Sequence, residues 1–333
     1  MRFVTCVLAV IVSVPLPSCG GGAPPKPVEA GRAAAPPIVL DTDAVDAFLR
    51  WADGPHRELF DWRDRQVFVI TREWAKGSAL PDPDAEIERQ LREVAQSGPG
   101  DVRVVRARRL LSALEQGRQA FLGSASKHLA QYLPRGTPIR GRVVFGVMLP
   151  GYAFSDGHNI VINLTSEYWK DNRDKVLNLL VHELFHNGFA THQQALSVAA
   201  AEQGGSAISN IAWQIQNEGT ATYVAYRAKP PGLEVEDYAL LDSPPEVRRR
   251  FELVRGLLDR ARAGNPDGLA AEIWEHGVKQ RAFYVVGAFM ARRIEEQRGR
   301  AALVATIGAG TRAFFAAYDA TSPSEELRIP AMW

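Results

Sequence analysis

VLNLLVHELFH, residues 176–186, decides how this chain is read. The segment is apolar nearly all round, interrupted only by Asn178, His182, Glu183 and His186, so it predicts a helix buried on every side. Within it, HELFH is an HExxH. His182 and His186 stand four residues apart and project from one helical face, where both imidazoles can meet one metal ion. Glu183, beside the first histidine, is placed to polarise a metal-bound water. Burying two imidazoles and a carboxylate in an apolar wall is unfavourable by several kcal/mol unless each finds a partner. One zinc ion partners all three. The body of the chain offers no thiolate for such a site, because both cysteines, Cys6 and Cys19, lie in the first twenty residues.

Two residues compete to be the third ligand. His192 follows His186 by six residues, the histidine spacing of the metzincin pattern HExxHxxGxxH. That pattern needs glycine where this chain has Phe189, and a methionine turn downstream. Here glycine comes one place early at Gly188, and the later methionines are Met290, in a helical pattern, and Met332 at the end. Glu218 falls on the apolar stripe of a helix expected over 206–228, formed by Ile208, Ile211, Ala212, Ile215, Thr222 and Tyr226. A carboxylate on a core-facing stripe asks for a cation.

The setting of Glu218, Asn217-Glu218-Gly219-Thr220-Ala221-Thr222-Tyr223, resembles the NEGFAxY segment of membrane-alanyl-aminopeptidase-like gluzincins, with Thr220 in the aromatic's place. Thermolysin-like enzymes also set Asn before this Glu. Tyr284-Val285-Val286-Gly287 is similar to the YxxG that carries an oxyanion-stabilising tyrosine in the same enzymes, with Tyr223 as the rival candidate. The resemblance spans roughly 159–290. It implies zinc held by His182, His186 and Glu218, Glu183 as general base, Tyr284 at the oxyanion, and peptide or protein as substrate. Thr222, one turn beyond Glu218, is expected to orient a zinc histidine from behind, and Gly219 to let two helices approach closely. The GxMEN segment with which those aminopeptidases hold a substrate's amine is missing; the corresponding stretch is GYAFSDGHNIVINL, 151–164. By analogy NIVINL, 159–164, is expected to be the edge strand to which an extended peptide adds. The competing function is a zinc-binding but catalytically inactive envelope lipoprotein that binds peptide or cell-wall material.

Outward from this centre, periodicity predicts helices from Asp41 through Trp51, over 84–96 and over 102–132, the last pausing near Gly117 and Gly123. Strands follow over 143–149 and 159–164, separated by a loop over 150–157. From Asp171 the pattern is almost wholly helical: 173–190, 206–228, 245–262, 266–276, 281–297, 299–308 and 311–319. The expected fold is α+β and mainly helical, with a zincin-like core in which a small sheet precedes the active-site helix and a helical C-terminal lobe follows. The divisions expected are a signal peptide at 1–18, a tether at 19–37, a helical N-terminal region at 38–140 and a catalytic region at 141–333.

The front of the chain reads as an address. Phe3 to Val14 is an apolar run too short to span a bilayer, and Leu16-Pro17-Ser18-Cys19-Gly20 resembles a bacterial lipobox, which would place a lipid on Cys19. An ordinary cleaved signal is the alternative. Gly20 to Pro37 has the composition of a tether. A lipid on Cys19 would anchor the protein to a membrane of the bacterial cell envelope, at the outer membrane or periplasmic face. With 39 basic and 38 acidic residues spread evenly, no basic stripe points to nucleic acid. Substrate specificity and oligomeric state are not encoded in any pattern visible here.

Overall fold

The computed structural model describes residues 38–55, 59–77, 81–155, 159–202, 207–264 and 267–330. The signal-like segment, Cys19, the tether and Met332 lie outside them. The fold is α+β and mainly helical, as the periodicity predicts.

The sheet is built from β1 (Val39–Asp41), β2 (Arg142–Gly146), β3 (Ala153–Ser155) and β4 (Asn159–Asn163), in the order β1-β2-β4-β3. β1 and β2 run parallel, as do β2 and β4, while β3 lies antiparallel on β4. Ile160, Val161 and Ile162 are fully buried, as a β-branched run in an interior strand covered on both faces should be. This corrects one expectation. NIVINL is not the edge: β2 pairs along one side of β4 and β3 along the other, so the edge on this side is β3.

The helices are α1 (Asp43–Ala52), α2 (Gln66–Gly77), α3 (Asp84–Ser97), α4 (Val102–Leu129), α5 (Arg173–Glu202), α6 (Ala207–Ala228), α7 (Glu236–Leu241), α8 (Pro244–Arg262), α9 (Leu269–Glu272), α10 (Ala282–Arg298), α11 (Arg300–Ala309) and α12 (Thr311–Asp319). The helix expected from Asp41 starts two residues later, because Asp41 closes β1 and pairs with Arg142 across 2.6 Å. α4 runs unbroken through Gly117 and Gly123, its flanks packed well enough to absorb the roughly 1 kcal/mol that each glycine costs a helix. A π-helical turn, Ile273–Lys279, joins α9 to α10 and replaces the end of the helix expected over 266–276.

Three contacts hold the helices that matter for the site. Arg106 of α4 donates to the Thr165 carbonyl (2.9 Å) and to Asp171 (3.0 Å), fixing the link from β4 to α5. Asn178 of α5 donates to the Ala225 carbonyl of α6 at 2.8 Å. Between α6 and α10 the backbones themselves touch: a Cβ on Gly219 would run into Gly287, and one on Gly287 into the Ile215 carbonyl. One buried core runs from Val45 and Phe48 of α1 through the sheet to Phe314 of α12.

Candidate metal centre

α5 starts cleanly because the Asn172 side chain accepts from the Asp174 and Lys175 amides, satisfying helix N–H groups that would otherwise lack partners. From there its helical repeat turns His182, Glu183 and His186 inward, all of them buried. α6 supplies Glu218, 1% exposed. The Nε2 atoms of His182 and His186 are 3.0 Å apart, and each faces Glu218 Oε2, at 3.5 and 3.4 Å. One ligand atom from each residue lies within 4.8 Å of the others, an N,N,O set of the kind that takes zinc with a fourth position open.

The polar bookkeeping supports a cation. Glu218 Oε2 and both oxygens of Glu183 are buried without a hydrogen-bond partner, an arrangement native interiors rarely tolerate. Burial pushes the Glu183 carboxyl up to about 8. Burial also disfavours the His186 imidazolium, but the Glu218 carboxylate beside it outweighs that and lifts it to about 9. Burial lowers His182 despite the Glu218 carboxylate beside it. Glu218 is held well below the usual carboxylate range: burial opposes ionisation, and the two imidazoles overcome it.

His186 Nδ1 lies 2.9 Å from Asn217 Oδ1. An amide oxygen accepts only, so Nδ1 carries a proton and Nε2 is the nitrogen turned toward Glu218 and His182. The sequence pattern shows Asn217 but does not reveal this task. It had been expected of Thr222, whose buried hydroxyl makes no hydrogen bond. The threonine sits one turn from Glu218, yet the adjacent asparagine reaches the ring first.

His192 is not part of the cluster. α5 continues straight through Gly188 and Phe189, so a residue six places after His186 points to a different face. There His192 Nε2 meets Thr137 Oγ1 at 2.6 Å. A metzincin needs the chain to turn at that point, and here it stays helical.

Tyr284, on the first turn of α10, lies parallel to His182 with ring centroids 6.2 Å apart. Tyr223, the rival, packs edge-on against Tyr132 at 6.3 Å and does not line the cavity next to His182. That cavity joins His182 and Tyr284 to Tyr152, Tyr168, Asp237 and Arg281. The last four carry no signal in the sequence, because each reaches the site from a separate short segment: Tyr152 from a loop, Tyr168 from a 3-10 turn, Asp237 from the start of α7 and Arg281 from the residue before α10.

A mainly helical α+β fold with a buried His-His-Glu cluster defines a metal-dependent enzyme of the zinc type. Residues 105–322 match the model of a family described as "Putative zinc dependent peptidase" (DUF5700), and the chain belongs to that family. Neither a search of curated proteins nor one of solved structures finds a match. Zinc is the cofactor that both the family and the cluster call for.

Proposed function

We propose that this protein is a gluzincin-type zinc peptidase whose zinc is held by His182, His186 and Glu218. The observation that carries the proposal is the meeting of three buried ligand atoms beside a fully buried, unpartnered Glu183. Zinc bound there supplies a Lewis acid that acidifies a water and polarises a carbonyl. Glu183 accepts the proton of the attacking water and delivers it to the leaving amine. Its raised affinity for a proton suits both halves of that task. Asn217 holds the His186 ring in the tautomer a metal ligand requires. Tyr284, parallel to His182 at the cavity wall, offers its hydroxyl to the oxygen that gains charge as the carbonyl is attacked.

The inactive-binder alternative has no use for a carboxyl kept buried and without partners, and Glu183 is such a group. The test is a quenched-fluorescence peptide assay with and without chelator. Activity that vanishes with zinc removal and returns on its readdition supports the proposal; chelator-insensitive cleavage contradicts it.

We further propose that the lipobox-like segment places a lipid on Cys19 and holds the enzyme at the cell envelope. Among the described residues no helix is long and apolar enough to cross a membrane.

A further inference from the structure

Arg281 is an unusual residue to find at the wall of this cavity. Its backbone is left-handed (φ 60°), a conformation that disfavours any side chain and that is kept where the surroundings demand it. Its side chain is 11% exposed and that of Asp237 13%. Nε and Nη2 form a two-pronged contact with Asp237, at 2.6 and 2.5 Å, which occupies both carboxylate oxygens. The third corner of the guanidinium is left over. Nη1 is buried and has no hydrogen-bond partner.

The guanidinium carbon lies 3.2 Å from the centroid of the Tyr284 ring, and that ring lies parallel to His182. Arg281, Tyr284 and His182 therefore follow one another along the cavity wall. The two steps, 3.2 Å from the guanidinium carbon to the Tyr284 ring and 6.2 Å from that ring to His182, span at most about three residues of an extended peptide. A second cation, Lys175, lines the same cavity, its Nζ 3.8 Å from the Tyr168 ring centroid and donating to the Tyr168 carbonyl. Tyr168 stacks on Tyr152 at 3.8 Å, giving the cavity an aromatic wall. Among the residues lining it, Asp237 is the carboxylate, and Arg281 has already taken it. Among the described residues, the cavity thus presents two cations and no carboxylate outside the Arg281 pair, a lining that suits a negative group.

We infer that Arg281, held in place by Asp237, is a specificity-determining residue that binds a carboxylate of the substrate within about three residues of the scissile bond. That carboxylate is either the free C-terminus of the peptide or the side chain of an aspartate or glutamate. The inference rests on the peptidase reading for its place in a reaction, but the binding it asserts can be measured without catalysis.

The experiment uses the zinc-loaded full chain carrying Glu183→Gln, with binding followed by calorimetry. The probes are N-acetylated peptides in matched sets: free C-terminal acid, C-terminal amide, and amide bearing Glu or Gln at the last position. The acid is expected to bind roughly tenfold to a hundredfold more tightly than the amide, the range of one hydrogen bond between charged groups. If a side chain is the source, the Glu amide recovers that affinity and the Gln amide does not. Arg281→Gln alone would strand the buried Asp237, so the companion is the double variant Arg281→Gln, Asp237→Asn. With zinc content and melting temperature retained, its acid-to-amide ratio should fall close to one. Equal binding of acid, amide and both side-chain variants to the Glu183→Gln protein overturns the inference. The peptidase reading is scored separately: a wild type that cleaves acid and amide peptides with equal kcat/KM keeps its activity and loses the carboxylate site. A wild type that cleaves neither while its Glu183→Gln form still prefers acids loses the activity and keeps the site.

Discussion

In the proposed metal centre His182, His186 and Glu218 share one cation, so removing any one would leave the other two buried without it. Alanine at each position should abolish zinc binding and destabilise the fold by about 3–5 kcal/mol, the range for breaking a buried charge pair. Metal analysis and denaturant titration check both. His192→Ala should keep its zinc and lose about 1 kcal/mol with the Thr137 contact; a zinc-free His192→Ala would restore the metzincin alternative. Asn217→Ala should retain the metal but bind it about 10- to 100-fold more weakly, seen by competition with a chelating dye. The protein's own charges also predict a pH signature for the chelator-treated protein. Glu183 and His186 both hold protons more tightly in the folded chain, at about 8 and about 9, than unfolded groups do. Stability from such groups is present below the unfolded values and is lost as pH rises through the folded ones. Between pH 6.5 and 9 the melting temperature of the chelated protein should therefore fall, because His182 and Glu218, with folded values lowered, titrate below that window. Zinc favours the unprotonated forms and should flatten the slope. A chelated protein that grows more stable over that window would contradict the assignment.

Among the elements, α6 and α10 set the spacing between Glu218 and Tyr284 through the contact of Gly219 with Gly287. Gly287→Ala would drive a methyl group into the Ile215 carbonyl. Overpacking of this kind typically costs 1–3 kcal/mol, and here it would also move Tyr284 relative to the ligand on α6. The variant should melt lower and lose peptidase activity out of proportion to its unfolding, measured well below its melting temperature. At this scale the reach of sequence reasoning is also clear. The long helices were legible because their apolar faces repeat over many turns, and HELFH lay on a stretch that is apolar nearly all round. β1 and β3 were not: each has three residues, too few to show alternation, and β1 finds its partner a hundred positions along the chain. The edge role of NIVINL came from analogy, and β3, which takes that edge instead, was too short to be seen beside it. The close fit of Gly219 was foreseen from its place beside Glu218, but Asn217 and Arg281 act through contacts that no spacing announces. Arg281 sits between a π-helical turn and α10 and meets Asp237 from another segment.

For the molecule as a whole, the N-terminal stretch from 38 to 140 is structural support for the centre. It gives the sheet β1 and packs α4 against α5 and α6, with His128 bonding the Val224 carbonyl at 2.9 Å. The proposed lipid anchor, by contrast, lies ahead of residue 38. Cys19→Ser should move the protein from washed membranes to the soluble fraction, since the proposed attachment is the lipid. Retention of that variant in membranes after a salt wash would defeat the anchor.

The claim at the centre is that Glu183 moves the proton while three other residues hold the metal. The most direct measurement compares the peptide-hydrolysis rate of Glu183→Gln with wild type, at matched zinc content. Glutamine keeps the shape but cannot accept the proton, so the variant should carry about one zinc per chain, fold normally, and be slower by 10²–10⁴, roughly the span of general acid–base catalysis. An unchanged rate at equal zinc would show that Glu183 is not the base, and loss of zinc would show that it is a ligand; either result contradicts the claim.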